Sequence, residues 1–434
     1  MRIKDNGIKY YLGICMYDSE MKMIFTDSLT NLKELNYGIV LVGAYFILEF
    51  GSIQGLYPIV GELMIPYIVS FLTVLYSAYL IFKKKVSFKS DVSKRFVMIC
   101  MFIIIYTGIA TKLPIVKDDT IKLFVIYLSQ YIIIVTCVKK PTQFILLVDI
   151  WLLAIAFSSY NAILQGGLIW GNRWLDDENQ ISLLVVTAIP FAIMLYMIPQ
   201  LRTKKLFYLM CLALFMGVNI AAASRGGALA MIVVTFLCWL LMRSKFRYFM
   251  IVSLTVILVF SFAPQKYFDE MKTLEQGIEE GTADDRIYLW GVAVDMFKNN
   301  LFLGVGPMNY SADFSEYEKG NRYPQGAMRV AHSTPVQWLA EMGIIGCFML
   351  LSLQVALYKN WKMISMLKNN KDNSPGKIDA EIYINISHAC VISQVGFWFA
   401  ASFLTLMSHP FYWCLIPFSE AWKNISLDAI KIKR

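Results

Sequence analysis

The sequence predicts an all-α polytopic membrane protein with about 12 transmembrane helices and one large, partly helical extracytoplasmic loop between late spans. Three observations carry this reading. The chain is 57% hydrophobic, only 16% charged, and has a mean hydropathy of +0.55. Apolar runs recur at the roughly 17 to 25 residues needed to cross a hydrocarbon core of about 30 Å. Lys and Arg gather in short connections on alternate sides of those runs. Together these exclude a water-soluble globule, and the unbroken runs exclude a β-barrel, whose strands would alternate apolar and polar residues. The net charge of +9 therefore reports membrane topology rather than affinity for nucleic acid.

Residues 1–36 are mixed and polar and read as a cytoplasmic N-terminal segment; nothing in them resembles a cleavable signal. Residues 37–264 hold the first nine spans, near 37–56, 62–82, 96–111, 121–138, 144–164, 181–199, 206–223, 228–242 and 248–264. Residues 332–422 hold three more, near 334–357, 384–406 and 410–422, and 423–434 form a tail. With the N-terminus cytoplasmic, the inner connections take Lys83 to Lys85, Lys89, Lys94, Arg95, Lys139, Lys140, Arg202, Lys204, Lys205, Arg243, Lys245 and Arg247. The short outer ones keep only Lys112, Lys117, Lys122, Arg173 and Arg225. That asymmetry places both termini in the cytoplasm.

One connection breaks the rule of short loops. Residues 265–331, on the outer face, are polar and mildly acidic, yet rich enough in aromatic and aliphatic residues to fold against the membrane domain. Within them Asp284 to Asn299 predicts an amphipathic helix with Asp284 or Asp285 as N-cap and Leu289, Trp290, Ala293, Met296 and Phe297 on one stripe. The following LFLGVGPMNY supplies a turn at Gly304, Gly306 and Pro307. Asn369 to Lys377 reads as a short cytoplasmic turn, and no internal repeat is present.

The eight cysteines are scattered mostly through apolar stretches with no CxxC spacing, as small buried hydrophobes would be. Of the three histidines, His388 falls inside a span and His409 sits before Pro410 in a hairpin. Only His332 stands where an outer loop meets a membrane helix. Helix capping or interfacial anchoring would explain it, as snorkelling would explain Arg225 at the outer end of span seven and solvation would explain Arg286 beside Asp284 and Asp285. Taken together, however, two outer arginines and one base active near neutral pH are the parts needed to transfer a group away from a phosphate-bearing leaving group. Guanidinium forks match the diphosphate and an imidazole accepts the proton of the incoming hydroxyl.

Carboxylate-held divalent metal is the competing chemistry. Asp118–Asp119 and Asp176–Asp177–Glu178 are candidates for it, but adjacent acids more often cap helices or face solvent, and the expectation is a site with no metal and no cofactor. No Walker loop, GxGxxG, HExxH or GxSxG occurs, so nucleotide hydrolysis, dinucleotide redox chemistry, zinc proteolysis and serine-hydrolase chemistry have no support.

The segment HSTPVQWLAEMGIIG, His332 to Gly346, resembles the His-[Asn/Ser/Gln]-nine residues-Gly-two residues-[Gly/Thr/Tyr] signature of bacterial O-antigen ligases and the related Wzy-type polymerases, with Ser333, Gly343 and Gly346 in the remaining slots. SRGG around Arg225, DDRIYLW with its R-x-x-x-W from Arg286 to Trp290, the G-x-G of Gly304 and Gly306, and GNRWLDDENQ, whose Glu178–Asn179 pair opens a middle span, are similar to the same family. The resemblance covers roughly residues 160 to 410, and the first five spans match only in general layout. It implies a GT-C-like membrane glycosyltransferase of the bacterial inner (cytoplasmic) membrane, acting on its periplasmic or outer face. The implied partners are an undecaprenyl-diphosphate-linked glycan donor, a glycan or lipid A core acceptor, and the bilayer itself.

On the same terms His332 is the implied catalytic base, and Arg225 and Arg286 bind the departing diphosphate, with inversion at the anomeric carbon and no metal. Ser333 departs from the commoner Asn and would orient the imidazole less rigidly. Arg173, Glu178, Arg322 and Arg329 are further substrate-binding candidates, and Trp290, Tyr310 and Tyr323 are placed to stack on sugar rings. Ligase and polymerase share these motifs and differ in acceptor; the form of the motif and the late position of the loop favour the ligase. Transfer of glycan onto protein is a third variant. A polyprenyl-linked glycan flippase or transporter is the alternative of another class, but the repeats between halves and midplane charges such proteins show are not evident.

Overall fold

The computed structural model describes residues 35–170, 172, 174–198, 202–242, 281–366 and 377–433, with isolated positions between 245 and 268. The chain is an all-α polytopic membrane protein, and no strand occurs among the described residues. The membrane-type helices are α1 (Tyr37–Phe50), α2 (Ile65–Phe82), α3 (Asp91–Ala110), α4 (Pro114–Cys137), α5 (Pro141–Leu164), α6 (Glu178–Met197), α7 (Arg202–Ala221) and α8 (Arg225–Leu241). The segment between them and the last helices holds α9 (Gly281–Asn299) and α10 (Tyr310–Tyr317), followed by α11 (Thr334–Ser365), α12 (Lys377–Ala401) and α13 (Leu415–Lys433).

Eight of the described helices are long and apolar enough to cross a bilayer: α2 to α7, α11 and, from Glu381, α12. Helices α1 and α8 are apolar but shorter. Most of the residues predicted as span nine, the N-terminal segment as far as residue 34, and most of the turn at 369–377 lie outside the described residues. The expected final span, 410–422, is divided: Pro410–Trp413 is a single turn, and α13 starts at Leu415 and runs on as far as Lys433. Hydropathy marks it poorly because it carries Glu420 and Lys423. Both are buried, with Lys423 Nζ donating to Glu420 Oε1 at 2.5 Å and Asn360 Nδ2 donating to Glu420 Oε2 at 2.9 Å.

Helix α6 occupies the middle of one half of the bundle, packed by α5, α7, α8 and α12, and Ile181 to Leu195 are buried all round. A helix apolar on every face needs neighbours on every face, as these residues have. The opposite case is α2, which buries little besides Thr73, Ser77 and Leu80 and turns Tyr67, Phe71, Leu75 and Phe82 outward as a lipid-facing helix would.

Helix α11 is interrupted, and the interruption organises one end of the molecule. Gly343 adopts φ 59°, ψ −162°, a region open in practice to glycine alone. The break costs the helix four backbone partners, and the loop after α9 supplies all of them. Ile344 N donates to Leu301 O at 2.9 Å and Ile345 N to Phe302 O at 3.1 Å, while Ala340 O accepts from Val305 N at 2.9 Å and Glu341 O from Gly306 N at 3.0 Å. A β-carbon on Gly343 would stand 2.5 Å from Phe302 O, and one on Gly304 would collide with Ala340 O. Gly343→Ala is therefore expected to destabilise the protein by at least ~1–2 kcal/mol from backbone strain alone, with steric overlap added. The check is a lowered unfolding temperature of the detergent-purified variant, set beside Gly326→Ala; a β-carbon at Gly326 meets nothing, although its backbone is equally left-handed.

Candidate functional site

The interrupted end of α11 is also where the predicted residues gather. The turn after α3 grips the glycine-rich loop: Thr111 Oγ1 donates to Pro307 O at 2.8 Å, and Asn309 accepts from Lys112 N at 2.9 Å and donates to Ala110 O at 2.8 Å. Lys112 Nζ meets Asp313 Oδ1 at 2.5 Å, closing the connection on α10. Gly306 has φ 104°, and a β-carbon there would lie 2.9 Å from that of Ala110. Gly346 faces Met342 so closely across the break that it too has no room for a side chain. All four motif glycines thus serve close backbone packing.

Helix α9 begins at Gly281, earlier than the sequence indicates, so Asp284 and Asp285 lie within its first turns rather than capping it. Asp284 Oδ2 instead takes Arg322 Nη2 at 2.6 Å, and Asp285 accepts from the Tyr323 hydroxyl. The predicted stripe is largely as expected, with Leu289, Ala293 and Met296 buried against Tyr310, Phe314 and Ala331. Arg286 and Trp290 are one turn apart on α9 and so share a face. The Trp290 indole N–H donates to Ala331 O at 3.0 Å, tying the helix that carries Arg286 to the residue before His332.

His332 sits in the left-handed region, φ 48°, which costs a non-glycine residue of order 1–3 kcal/mol and persists only where its surroundings over-determine it. Those surroundings are visible on both sides. Ala331 N donates to Gln337 Oε1 at 3.1 Å, and the Thr334 hydroxyl donates to Leu404 O at 2.6 Å while accepting from Leu406 N at 2.9 Å. Ser333 occupies the N-cap position of α11, buried, but its hydroxyl makes no capping bond.

The imidazole of His332 is exposed, but enough protein surrounds it to hold its pKa below the usual 6.5. Partial desolvation is the first cause, and the positive charges of Arg286 and Arg329 are the next; Asp177 and Asp285 act in the opposite sense. Arg286 is half-buried, and its charge is disfavoured first by that burial and then by Arg225. His332 is therefore within electrostatic reach of Asp177 at the start of α6 and of Arg286 on α9, and Arg286 is within reach of Arg225 at the start of α8.

The two helix starts are locked together. Ser224 Oγ accepts from Gly227 N at 3.1 Å as N-cap of α8 and donates to Asn179 Oδ1 at 2.7 Å in the first turn of α6. Asp177 caps α6, accepting from Asn179 N at 2.8 Å and Gln180 N at 3.2 Å. Gly227 leaves no space for a β-carbon beside Ser182, which lets α8 lie close on α6 and fixes where Arg225 starts.

Residues 209–351 match the O-antigen ligase family. The resemblance read from the motifs is thereby borne out, and the O-antigen ligase match takes in Arg225, Arg286, His332 and the four motif glycines. No curated protein matches the chain.

Of the other residues singled out within the O-antigen ligase match, Arg329 is near enough to His332 to depress its basicity, and its guanidinium lies 4.4 Å from the centre of the Tyr323 ring. Arg322 is paired with Asp284 and Asp285 on the surface. Tyr310 is fully buried, with its hydroxyl on Leu289 O at 2.7 Å, and so presents no ring face for a sugar. N-terminal to the match, Glu178 stands at the first position of α6, and Arg173 lies outside the described residues. His388 accepts from the Trp361 indole at 2.9 Å, and the His409 ring lies edge-on to Trp174 at 4.5 Å.

Sequence reading passed over two residues inside the signature itself. Gln337 and Glu341 are both buried, Glu341 completely, in a stretch where the motif leaves nine positions open. A Gln and a Glu four apart on the first turns of a membrane helix was the available signal.

Proposed function

We propose that the chain transfers a glycan from an undecaprenyl-diphosphate-linked donor to an acceptor hydroxyl, on a lipid A core or comparable terminal acceptor, at the outer face of the bacterial cytoplasmic membrane. In this reading the bundle has twelve spans, both termini are cytoplasmic, and α9 and α10 belong to the extracytoplasmic loop. The observation that carries it is a neutral-leaning histidine beside Arg286, whose own charge is disfavoured by burial and then by Arg225.

His332 takes the proton as the acceptor oxygen attacks the anomeric carbon. The bond from that carbon to the diphosphate oxygen breaks on the opposite face, so configuration inverts. Undecaprenyl diphosphate leaves with the electron pair, its growing charge met by Arg225 and Arg286. Fixed guanidinium groups at the edge of a low-dielectric bundle stabilise that charge with little reorganisation. The N-terminus of α8 adds backbone dipoles of the same sign. Such a leaving group needs no metal once its charge is neutralised.

The test is glycan transfer by the purified full-length protein given lipid-diphosphate-linked donor, with and without a lipid A core acceptor, in the presence of EDTA. The expected result is EDTA-resistant transfer to the core lipid. Chain growth from donor alone would make the protein a polymerase, and ATP-free movement of donor across vesicles without transfer would make it a flippase.

A further inference from the structure

We propose that Glu341 and Gln337 are positioning residues, which, with the Trp290 indole, fix the peptide before His332 and so aim the base at the acceptor hydroxyl. The proposal rests on His332 being that base.

Glu341 is fully buried, one turn beyond Gln337 on α11 and two residues before the break at Gly343. Its carboxylate meets three donors: Met308 N at 2.9 Å, Tyr310 N at 3.1 Å and Gln337 Nε2 at 2.9 Å. One of these, Tyr310 N, is a free amide at the start of α10, and Met308 N lies two residues before it in the glycine-rich loop, so that helix start is held from another helix altogether. The third sets the orientation of the Gln337 amide. With its nitrogen directed at Glu341, its oxygen faces Ala331 N at 3.1 Å and the Thr405 hydroxyl at 2.9 Å. An amide has distinct donor and acceptor ends, so the carboxylate decides which end Ala331 meets.

The other side of the same residue is held by Trp290, whose indole donates to Ala331 O at 3.0 Å. Residue 331 is thus gripped at both its N–H and its C=O, and the chain turns left-handed at the very next position. Packing alone does not demand this polarity, because apolar residues could fill the same volume. The arrangement instead connects three parts of the site through one network: the glycine-rich loop by Met308, α9 by Trp290, and His332 by Ala331. A buried carboxylate is costly to desolvate and is retained here by three hydrogen bonds, of which one holds the glycine-rich loop at Met308 and one sets the amide that holds Ala331 beside His332.

The experiment compares Glu341→Gln, Trp290→Phe and the exchanged double variant Gln337→Glu with Glu341→Gln, reading kcat and donor and acceptor KM separately. Glu341→Gln turns an amide nitrogen towards donors. It is expected to lower kcat by about a hundredfold, the loss that a misplacement of about 1 Å brings, with donor KM little changed. The exchanged pair keeps the charge and returns acceptor oxygens to Ala331 and Thr405, so most of the kcat returns. Trp290→Phe removes one hydrogen bond without touching the carboxylate, and it lowers kcat in the same sense in a protein that folds.

A purely structural role would give variants with lower unfolding temperature but normal kcat in the folded fraction, and no recovery in the exchanged pair. Either of those results overturns the proposal. Wild-type kcat in Trp290→Phe overturns it even if Glu341→Gln does not fold. Should His332→Ala itself retain turnover, the proposed chemistry fails instead, which separates the two outcomes.

Discussion

With His332 replaced by alanine, glycan transfer falls by about a hundredfold to ten-thousandfold, the contribution of a positioned general base, while binding of the lipid-diphosphate donor persists. The reason is that, in the proposed mechanism, the imidazole acts on the acceptor and the arginines on the donor. Its pH dependence follows from its surroundings. Burial, then Arg286 and Arg329, hold its proton affinity below the usual 6.5. The base works unprotonated, so turnover is retained at neutral pH and lost as pH falls through the lowered value. The acid limb of kcat/KM therefore lies below about 6.5. In Arg329→Gln one positive neighbour is gone, the imidazole binds its proton more readily, and that limb moves upward toward neutrality. A limb that stays fixed in Arg329→Gln would mean the titrating group is not His332. Calorimetric or fluorescence titration of donor onto His332→Ala checks the retained binding.

Loss of either guanidinium is expected to be nearly as damaging. Arg225→Ala and Arg286→Ala should each lower kcat by about a hundredfold to a thousandfold, the range for removing one fixed donor from a developing anion. Arg286→Ala also takes away a positive neighbour of His332, so what activity remains should show its acid limb displaced upward. Lysine at either position restores charge but not the planar two-pronged donor, and recovers only part of the loss. The two arginines should not be additive. Arg225 disfavours the charge of Arg286, so the second removal, made when the first cation is already absent, costs less than the first. Single-turnover rates for both single variants and the double variant test this directly; additive losses would mean the two groups serve separate anions.

Much of this site was legible before any fold was known, and the reason is chemical. His332, Arg225 and Arg286 are rare residue types placed against apolar helices, and Gly304, Gly306 and Gly343 mark backbone that no other residue can follow. What could not be read were roles created by partners far along the chain. Trp290 looked like a sugar platform, and the tie its indole N–H makes to Ala331 O gave no sign in the sequence. Tyr310 looked the same but lies inside the core of the α9 and α10 segment. Asp284 and Asp285 carried the mark of an N-cap, but α9 starts earlier, and the two acids serve Arg322 and Tyr323 instead. Glu341 was passed over because its one signal, a Gln four residues before it at the start of a membrane helix, says nothing of the loop amides it meets. Hydropathy likewise cut α13 short, because it carries Glu420 and Lys423, an i,i+3 pair buried with Asn360 of α11 as its distant partner.

The break in α11 carries a consequence for how the protein is made. Leu301 to Gly306 leave the ribosome before Ala340 to Ile345, so their backbone groups have no partners in the chain until the later helix arrives. The turn at His332 waits longer still, since Thr334 is anchored on Leu404 and Leu406. A nascent chain that has already inserted α1 to α8 therefore has its arginine-bearing helix start but no fixed base. If the proposed chemistry holds, transfer becomes possible only after residue 406 has been made, and a product cut short before residue 404 would occupy the membrane without drawing on lipid-linked glycan.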